Sequence, residues 1–207
     1  MNIPNLNGIL TKQYLVSQGV SENVIFTGAM CADSFHLAEK VKMIKPEERL
    51  FFKRELHIEK KEIIYLYVGQ LITRKGVAYL LDAWKEHILS HPNDHLLIVG
   101  EGPLFDDFVQ GYGFMNSISF VGNIDYSRIS EYYAVADVFV IPTLEDNWSL
   151  VVPEAMACGL PIACSVYNGC HPELVHEGKN GVLFDTLNKA SLLYALSYFP
   201  LFFLLPL

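Results

Sequence analysis

Short apolar runs alternate with stretches of helical hydrophobic spacing along most of the chain. The run Ile63–Gly69 is almost continuously apolar, which is typical of a strand buried on both faces of a sheet. After this run, apolar side chains recur with the spacing of a helix that buries one face. They are Val77, Leu80, Leu81, Trp84 and Ile88.

This alternation continues almost to the C-terminus. Further strands are predicted at His95–Gly100, Ile118–Gly122, Asp137–Pro142, Pro161–Ser165 and Gly181–Phe184. Helices are predicted around Leu104–Gln110, Ser127–Ala136 and Val152–Cys158, near Pro172–Val175, and from Asn188 onward. Because single helices separate the strands, we predict an α/β fold with a doubly wound, Rossmann-like parallel sheet. Ligands of such sheets bind beyond the carboxyl ends of the strands, so the loops that follow the strands form the candidate site.

The residues before the first of these strands have a different pattern. Leu10–Phe26 predicts a helix, a turn and a strand, and His36–Glu62 predicts a polar linker and a helix. A chain of 207 residues has room for one full core and part of a second domain. We therefore expect residues 1–45 to be the remnant of a preceding domain with a hinge, 46–190 to be the sheet domain, and 191–207 to be an apolar, truncated tail.

The two ends of the chain carry no targeting pattern. The tail is slightly shorter than the roughly 20 residues of a membrane span and is interrupted by Pro200 and Pro206. We therefore expect a core helix that runs into a truncated or aberrant end, and a membrane anchor is the alternative. The start, MNIPNLNGIL, lacks the regions of a signal peptide.

Four cysteines without C-x-x-C spacing favour reduced side chains in a cytoplasmic protein. They are Cys31, Cys158, Cys164 and Cys170.

The charge of the chain limits its partners. A net charge of -8 argues against a general nucleic-acid-binding protein, which needs a basic face. Eight of the fifteen Lys and Arg residues lie in His36–Glu62, together with six acidic residues. Interleaved charge of this kind is typical of a solvated helix and linker. The alternative is peripheral contact with an anionic membrane surface, at the inner face of the membrane.

Glycine-containing loops follow the first two predicted strands. In Gly69–Gly76, free backbone N–H groups at a helix start and the ammonium of Lys75 favour binding of an anion. The alternative is that Lys75 is a solvated lysine beside a turn. The spacing of a Walker phosphate-binding loop is absent. Val99–Pro103 half resembles a dinucleotide fingerprint, but Phe105 stands where the third glycine is required. A tight turn is the alternative there.

The loop after the strand at Asp137–Pro142 is acidic. It contains Glu145 and Asp146, and Glu154 follows in the first turn of the next helix. Two carboxylates near a helix N-terminus can accept hydrogen bonds from several sugar hydroxyls, and the N–H groups of Ser149–Val152 can meet phosphate oxygens. Helix capping is the alternative role of these acids.

A last loop, Asn168–Val175, follows the strand at Pro161–Ser165. Gly169 allows the backbone to approach a ligand closely. His171 and His176 have no partners at metal-ligand spacing, so we expect ordinary exposed side chains and no metal site.

The order of these motifs resembles the C-terminal domain of glycosyltransferase family 4, also called glycosyl transferase group 1. The resemblance runs from Gly19 to Phe199 and rests on the segments YVGQL, RKG, IVGEGP, FVGNI, ADVFVIPT, EDNWSLVVPEAMACGLPI, NGCHPELV and GKNGVLF. It implies a GT-B fold, in which two facing Rossmann-like domains enclose the active site. We expect most of the N-terminal, acceptor-binding domain of that fold to be missing here.

The resemblance also implies roles for single residues. Lys75 matches the lysine that holds the donor diphosphate, and Glu154 matches the acid that binds the nucleotide ribose. Asp146 stands where a glutamate usually contacts the transferred sugar, with its neighbour Glu145 as the alternative.

Other positions depart from the family pattern. Gln70 stands where arginine is usual, and Arg74 is the expected replacement for the lost charge. Asn147 and Ser149 replace two glycines, although backbone N–H groups can still face the donor there. The expected catalytic residues are Asp146, Glu145 and Glu154. The expected donor-binding residues are Gly69, Gln70, Arg74, Lys75, Gly100, Gly102, Gly122, Ser149, Leu150 and Glu154.

The resemblance implies a retaining transfer, without metal or cofactor, from a nucleoside-diphosphate sugar. The acceptor is an unknown sugar or lipid-linked molecule, in polysaccharide or glycoconjugate synthesis. A GT-B nucleotide-sugar epimerase and a non-catalytic nucleotide-sugar-binding fragment are the alternatives. The missing third glycine argues against a nicotinamide-binding domain.

Overall fold

The structure is a computed structural model that describes residues 5–28 and 30–202. The strands of this part of the chain are β1 (Asn5–Leu6), β2 (Phe26–Thr27), β3 (Ile64–Val68), β4 (His95–Val99), β5 (Ile118–Gly122), β6 (Val138–Ile141), β7 (Ile162–Ser165) and β8 (Gly181–Phe184). The helices are α1 (Gly8–Ser17), α2 (Ser34–Met43), α3 (Pro46–Glu55), α4 (Val77–Ser90), α5 (Phe105–Tyr112), α6 (Ile129–Val135), α7 (Val151–Ala157), α8 (His171–Leu174) and α9 (Lys189–Phe202). Short 3₁₀ turns lie at Glu22–Val24, Thr73–Lys75 and Tyr126–Arg128.

The main sheet has the strand order β5-β4-β3-β6-β7-β8, and each neighbouring pair is parallel. The chain runs outward from β3 to β5, returns to the centre at β6, and then runs outward on the other side. The predicted doubly wound, Rossmann-like fold is therefore confirmed. The order reverses between β3 and β6, and this switch point is where open α/β sheets bind ligands.

Both faces of the sheet are covered by helices. Along β3, Ile64 and Leu66 belong to a core shared with α2, α3, α6 and α7, whereas Tyr65 and Tyr67 belong to a core shared with α4, α5 and α9. This division follows the two-residue period of a strand. Because both faces are buried, the strands need nearly continuous apolar sequence.

The charged segment His36–Glu62 differs from the predicted linker and single helix. It contains most of α2 and all of α3. The N–H of Lys45 donates a hydrogen bond to the Glu48 carboxylate at 2.8 Å, which caps the start of α3. Leu37 and Val41, one helical turn apart, are buried where α2 packs against α6 and α7. The prediction was wrong because the charges obscured this narrow apolar stripe.

The ends of the described chain pack in different ways. β1 and β2 form a separate parallel pair joined through α1, whereas α9 packs against α4 and β8. Leu192 and Phe199 are buried in α9, so the first part of the predicted tail forms a helix that packs in the core. Residues 203–207 of that tail lie outside the described part. The division of the chain at residues 45 and 190 stays a prediction. Among the described helices, none is long and apolar enough to cross a membrane.

Candidate functional site

A cavity of about 630 Å³ lies at the switch point, beyond the carboxyl ends of β3 and β4. Its lining comes mainly from the loops after these strands and after β5. The lining residues are Val68, Gly69, Gln70, Val99, Gly100, Glu101, Gly102, Asn123, Ile124, Tyr126, Ile129, Val151 and Glu154. The structure thus brings together five residues predicted to bind a donor. They are Gly69, Gln70, Gly100, Gly102 and Glu154.

Glycine is required where the loops after β3 and β4 pass each other. Gly100 has a φ of +133°, and a Cβ there would lie 2.0 Å from the carbonyl oxygen of Gly69. A Cβ on Gly102 would lie 2.5 Å from the carbonyl oxygen of Leu71. Gly122 does not border the cavity but supports this wall from behind, because its carbonyl accepts a hydrogen bond from the Gly100 N–H at 2.8 Å. Side chains at Gly100 and Gly102 would push the wall apart.

The first turn of α7 presents Glu154, whose side chain is almost fully buried. The hydroxyls of Tyr126 and Tyr133 each donate a hydrogen bond to one of its carboxylate oxygens, both at 3.1 Å. Burial raises the pKa of Glu154 above its ordinary value; the two tyrosine hydrogen bonds oppose this rise, and the charge of Asp33 adds to it. Each carboxylate oxygen can still accept a further hydrogen bond from a ligand hydroxyl.

The two tyrosines were missed by the sequence analysis. Tyr126 lies in a 3₁₀ turn and Tyr133 lies in α6, which follows directly. They are seven positions apart, or two helical turns, so the spacing places both side chains on one side of this segment. That spacing, beside an acid predicted in the same site, was the signal that could have identified them.

A second cluster at the same edge of the sheet is an ion pair between Lys75 and Asp146. Lys75 ends the 3₁₀ turn before α4, Asp146 follows β6, and the Lys75 ammonium donates a hydrogen bond to Oδ2 of Asp146. The side chains are 15% and 13% exposed. Burial alone would raise the pKa of Asp146, but the hydrogen bonds from Lys75 and Ser149 and the charge of Lys75 outweigh burial, so this pKa is lowered. The carboxylate is therefore ionised at neutral pH.

Further groups hold Asp146 in place. The Ser149 hydroxyl donates to Oδ2 at 2.5 Å, and the Trp148 N–H donates to Oδ1 at 3.2 Å. Asn168, which is fully buried, donates from Nδ2 to Oγ of Ser149 at 3.0 Å. The sequence analysis did not single out the Asn168 side chain, because nothing in the pattern separates a buried asparagine from an ordinary loop residue.

The other predicted residues lie around the ion pair. Arg74 is exposed, and its guanidinium donates to the backbone carbonyl of Glu145 at 3.1 Å. The Glu145 side chain is exposed as well. Leu150 is half-buried, and its carbonyl accepts the N–H of Glu154 at 3.2 Å. Arg74 thus holds the acidic loop, whereas Gln70 borders the cavity.

Comparison with known proteins decides the family. Residues 48–199 match the family described as glycosyl transferases group 1. The chain belongs to this family. Among its curated members, an uncharacterised glycosyltransferase of Methanocaldococcus jannaschii is 33% identical over 139 residues, which is 66% of this chain and 35% of the relative. The α-monoglucosyldiacylglycerol synthase of Acholeplasma laidlawii is 29% identical over 136 residues, which is 64% of this chain and 34% of the relative.

Solved structures show the same fold. The Anabaena protein HepE in complex with UDP has a TM-score of 0.77 and 18% identity, and the match covers 94% of this chain and 52% of that one. Sucrose-phosphate synthase from Thermosynechococcus elongatus has a TM-score of 0.71 and 25% identity, with coverage of 95% and 48%. This group 1 chain therefore spans about half the length of these solved chains, and about a third of the two curated relatives.

Proposed function

We propose that this chain is the donor-binding part of a glycosyltransferase that takes a sugar from a nucleoside-diphosphate sugar. One observation carries the proposal. A glycine-walled cavity that contains Glu154 lies at the same edge of the sheet as the ion pair of Lys75 with Asp146. A ribose needs hydrogen-bond acceptors, and a diphosphate needs positive charge, so the two clusters suit the two parts of one donor.

Glu154 is the expected ribose ligand. Tyr126 and Tyr133 fix its carboxylate from the protein side, so little side-chain freedom is left to lose when a ligand binds. The remaining acceptor positions on its two oxygens match the pair of hydroxyls that a ribose presents.

Lys75 is the expected diphosphate ligand. In the structure its ammonium is held by one carboxylate, that of Asp146. A nucleoside diphosphate carries more negative charge than one carboxylate and can share or take over this ammonium. The carboxylate of Asp146 then becomes available to the hydroxyls of the transferred sugar, with Glu145 as the alternative partner.

The proposed reaction is a transfer with retention of configuration. The bond between the anomeric carbon and the diphosphate oxygen breaks, a bond from the acceptor hydroxyl oxygen forms to the same carbon, and the hydroxyl proton leaves with the diphosphate. Negative charge develops on the leaving group, where Lys75 and the backbone N–H groups of Ser149 and Leu150 are expected to stabilise it. The proposal includes no metal and no cofactor.

The similar proteins support this donor and acceptor class. The Anabaena structures contain UDP, UDP with glucose, and UDP-glucose. WaaG is described as a glycosyltransferase involved in lipopolysaccharide biosynthesis, and the Acholeplasma relative is named a glucosyldiacylglycerol synthase. We therefore propose a sugar or lipid-linked acceptor, in polysaccharide or glycoconjugate synthesis.

Calorimetric titration of the purified chain with UDP-glucose, GDP-mannose, ADP-glucose and NAD tests donor binding. We expect at least one nucleotide sugar to bind and NAD not to bind. Lys75→Ala should weaken that binding at least about tenfold, because a charge-assisted contact is lost. Lys85→Ala is the matched control, since Lys85 is exposed and paired with Asp82 on α4. Binding of NAD alone, or equal losses in both variants, would contradict the proposal.

A second assay separates transfer from the alternatives. Release of nucleoside diphosphate that depends on an added acceptor indicates a transferase. Conversion of one nucleotide sugar into its epimer indicates an epimerase. Because most of the acceptor-binding domain is expected to be missing, binding without turnover in a panel of acceptors is the result expected of the donor-binding part, and the non-catalytic alternative shares it.

A further inference from the structure

Four side chains form a continuous hydrogen-bond network between the acidic loop and its neighbours. It runs from Asn168 through Ser149 and Asp146 to Lys75. The distances are 3.0 Å from Asn168 Nδ2 to Ser149 Oγ and 2.5 Å from Ser149 Oγ to Asp146 Oδ2. Asn168 is fully buried and Ser149 is 4% exposed, so water does not compete for the inner two bonds.

The partners of Asn168 fix the direction of the two inner hydrogen bonds of this network. Its Oδ1 accepts the N–H of Cys170 at 3.3 Å, which leaves the Nδ2 donor to face Ser149. The oxygen of Ser149 therefore accepts from Asn168, and the one hydroxyl hydrogen of Ser149 points to Asp146. Asp146 accepts this hydrogen bond and the one from Lys75 on the same oxygen, Oδ2.

The backbone locks the two loops together as well. The N–H of Gly169 donates to the carbonyl of Asp146 at 2.7 Å. A Cβ on Gly169 would lie 2.2 Å from the carbonyl oxygen of Asn147, so the loop after β7 is pressed directly onto the acidic loop. Asn168 consequently has a fixed position relative to Asp146, and it can aim the Ser149 hydroxyl without moving itself.

We propose that Asn168 is a positioning residue of the donor site, which acts through the Ser149 hydroxyl to hold the Asp146 carboxylate against Lys75. This inference rests on the proposed function, because Asp146 and Lys75 are the expected sugar and diphosphate ligands. The hydroxyl is a feature of this chain, since glycine was expected at position 149. Without the Ser149 hydroxyl, Asp146 would keep the Trp148 N–H and the Lys75 ammonium and would lose a donor on Oδ2.

The first test needs no ligand. Titration of the Asp146 carboxyl by ¹³C NMR, assigned with Asp146→Asn, should give a pKa about 1 higher in Ser149→Ala, which is a tenfold change in proton affinity. Asn168→Ala should raise the pKa in the same direction, and Ser149→Thr should restore it. In the double variant, Asn168→Ala should add little to Ser149→Ala, because Asn168 acts through the hydroxyl that is already gone.

Ser117→Ala controls for a general loss of stability. Ser117 is also a buried serine, and its hydroxyl accepts a hydrogen bond from the Trp84 indole N–H. It directly precedes β5, at the amino ends of the parallel strands, whereas the loops that line the cavity follow the carboxyl ends. This variant should lower the melting temperature without moving the Asp146 titration. The proposal is overturned if the pKa of Asp146 in both Ser149→Ala and Asn168→Ala stays the same as in the unmodified chain, or if Ser117→Ala moves it equally. If Asn168→Ala does not fold, Asn168→Ser takes its place, because it keeps a small polar side chain but loses the Nδ2 donor to Ser149; an unchanged Asp146 pKa in that variant would overturn the role of Asn168.

The second test asks whether this hydrogen-bond network affects binding of the donor. With UDP-glucose and UDP as probes, Ser149→Ala and Asn168→Ala should weaken the sugar nucleotide about tenfold and UDP alone less, because Asp146 is expected to meet the sugar. Equal losses for both probes would contradict the proposed role. If the unmodified chain binds none of the nucleotide sugars in the titration panel, the proposed function fails, while the carboxyl titration still tests the positioning role.

Discussion

Two regions of the molecule are stabilised in different ways. The sheet domain, which comprises the main sheet and its covering helices α2 to α9, buries whole strands and much of one face of the two longest helices, α4 and α9. α4, for example, buries six of its fourteen residues, including Trp84 and His87. The N-terminal unit, residues 5–28, consists of β1, α1 and β2, and α1 buries only Gly8 of its ten residues. The sheet domain has a core of its own, whereas the N-terminal unit has almost none.

The N-terminal unit is held by contacts to α8 and to the acidic loop after β6. The N–H of Ile9 donates to the Glu173 carboxylate at 3.0 Å, and a Cβ on Gly8 would lie 2.9 Å from the Trp148 ring. Apolar side chains of α1 such as Tyr14 remain exposed. Changes in the sheet domain should therefore lower the global stability of the molecule, whereas changes around α1 should act only on the N-terminal unit.

The largest effect is expected for Gly76→Ala. A Cβ there would lie 1.9 Å from the backbone oxygen of Pro142, and the φ of +68° is unfavourable for alanine. We expect the free energy of unfolding to fall by at least about 3 kcal/mol, measured by urea denaturation. Gly111→Ala is the matched control, because Gly111 lies in α5 with open space around it, and alanine favours helix there. A mild effect of Gly76→Ala would contradict the expectation that close packing in the sheet domain controls global stability.

The sheet domain was largely predictable from the sequence, because both of its faces are buried and its strands must be apolar runs such as Ile63–Gly69. The site was predictable only in part. Lys75 and Asp146 are 71 positions apart, and their bond follows from β3 and β6 being neighbours, which local patterns do not determine. The roles of Tyr133 and Asn168 depend on how a helix and a loop are oriented on the finished sheet.

The second prediction concerns pH. His95 opens β4, is 3% exposed, and has a pKa lowered from 6.5 to about 4 by burial and, secondarily, by the charge of Lys61. Since the unfolded chain binds this proton more readily, the stability present above pH 6.5 is lost as the pH falls towards 4. Between pH 7.5 and pH 5 we expect a loss of about 2 kcal/mol from this group.

Urea denaturation at the two pH values measures this loss. His95→Gln should flatten the dependence, whereas His36→Gln should leave it unchanged, because the His36 side chain is exposed. If both variants keep the full slope, His95 is not the group that couples the sheet domain to pH.

The third prediction compares a buried acid in α7, Glu154, with an exposed acid in the loop before that helix, Glu145. Glu154→Gln removes the charge of a buried carboxylate held by two tyrosines, whereas Glu145→Gln removes an exposed one. We expect Glu154→Gln to weaken nucleotide-sugar binding by about 1.5 kcal/mol, or roughly tenfold, and Glu145→Gln to have little effect. Calorimetry with the nucleotide sugar that the unmodified chain binds gives the comparison. The reverse order would mean that the ribose ligand is misassigned.

The smallest effect is expected for Glu173→Gln, which tests the attachment of the N-terminal unit. The carboxylate of Glu173 stabilises the N-terminus of α1 both as an acceptor for the Ile9 N–H and as a negative charge; glutamine keeps the acceptor and loses the charge. We expect a loss of about 0.5 kcal/mol, seen as amide hydrogen exchange about twofold faster in α1 and unchanged in β3 and β4. High salt should shrink the difference, because it screens the charge. Glu177→Gln, an exposed acid in the following loop, should leave α1 unchanged. Faster exchange throughout the sheet domain would show that the two regions open as one unit. Unchanged exchange in α1 would show that the Glu173 charge does not hold the N-terminal unit in place.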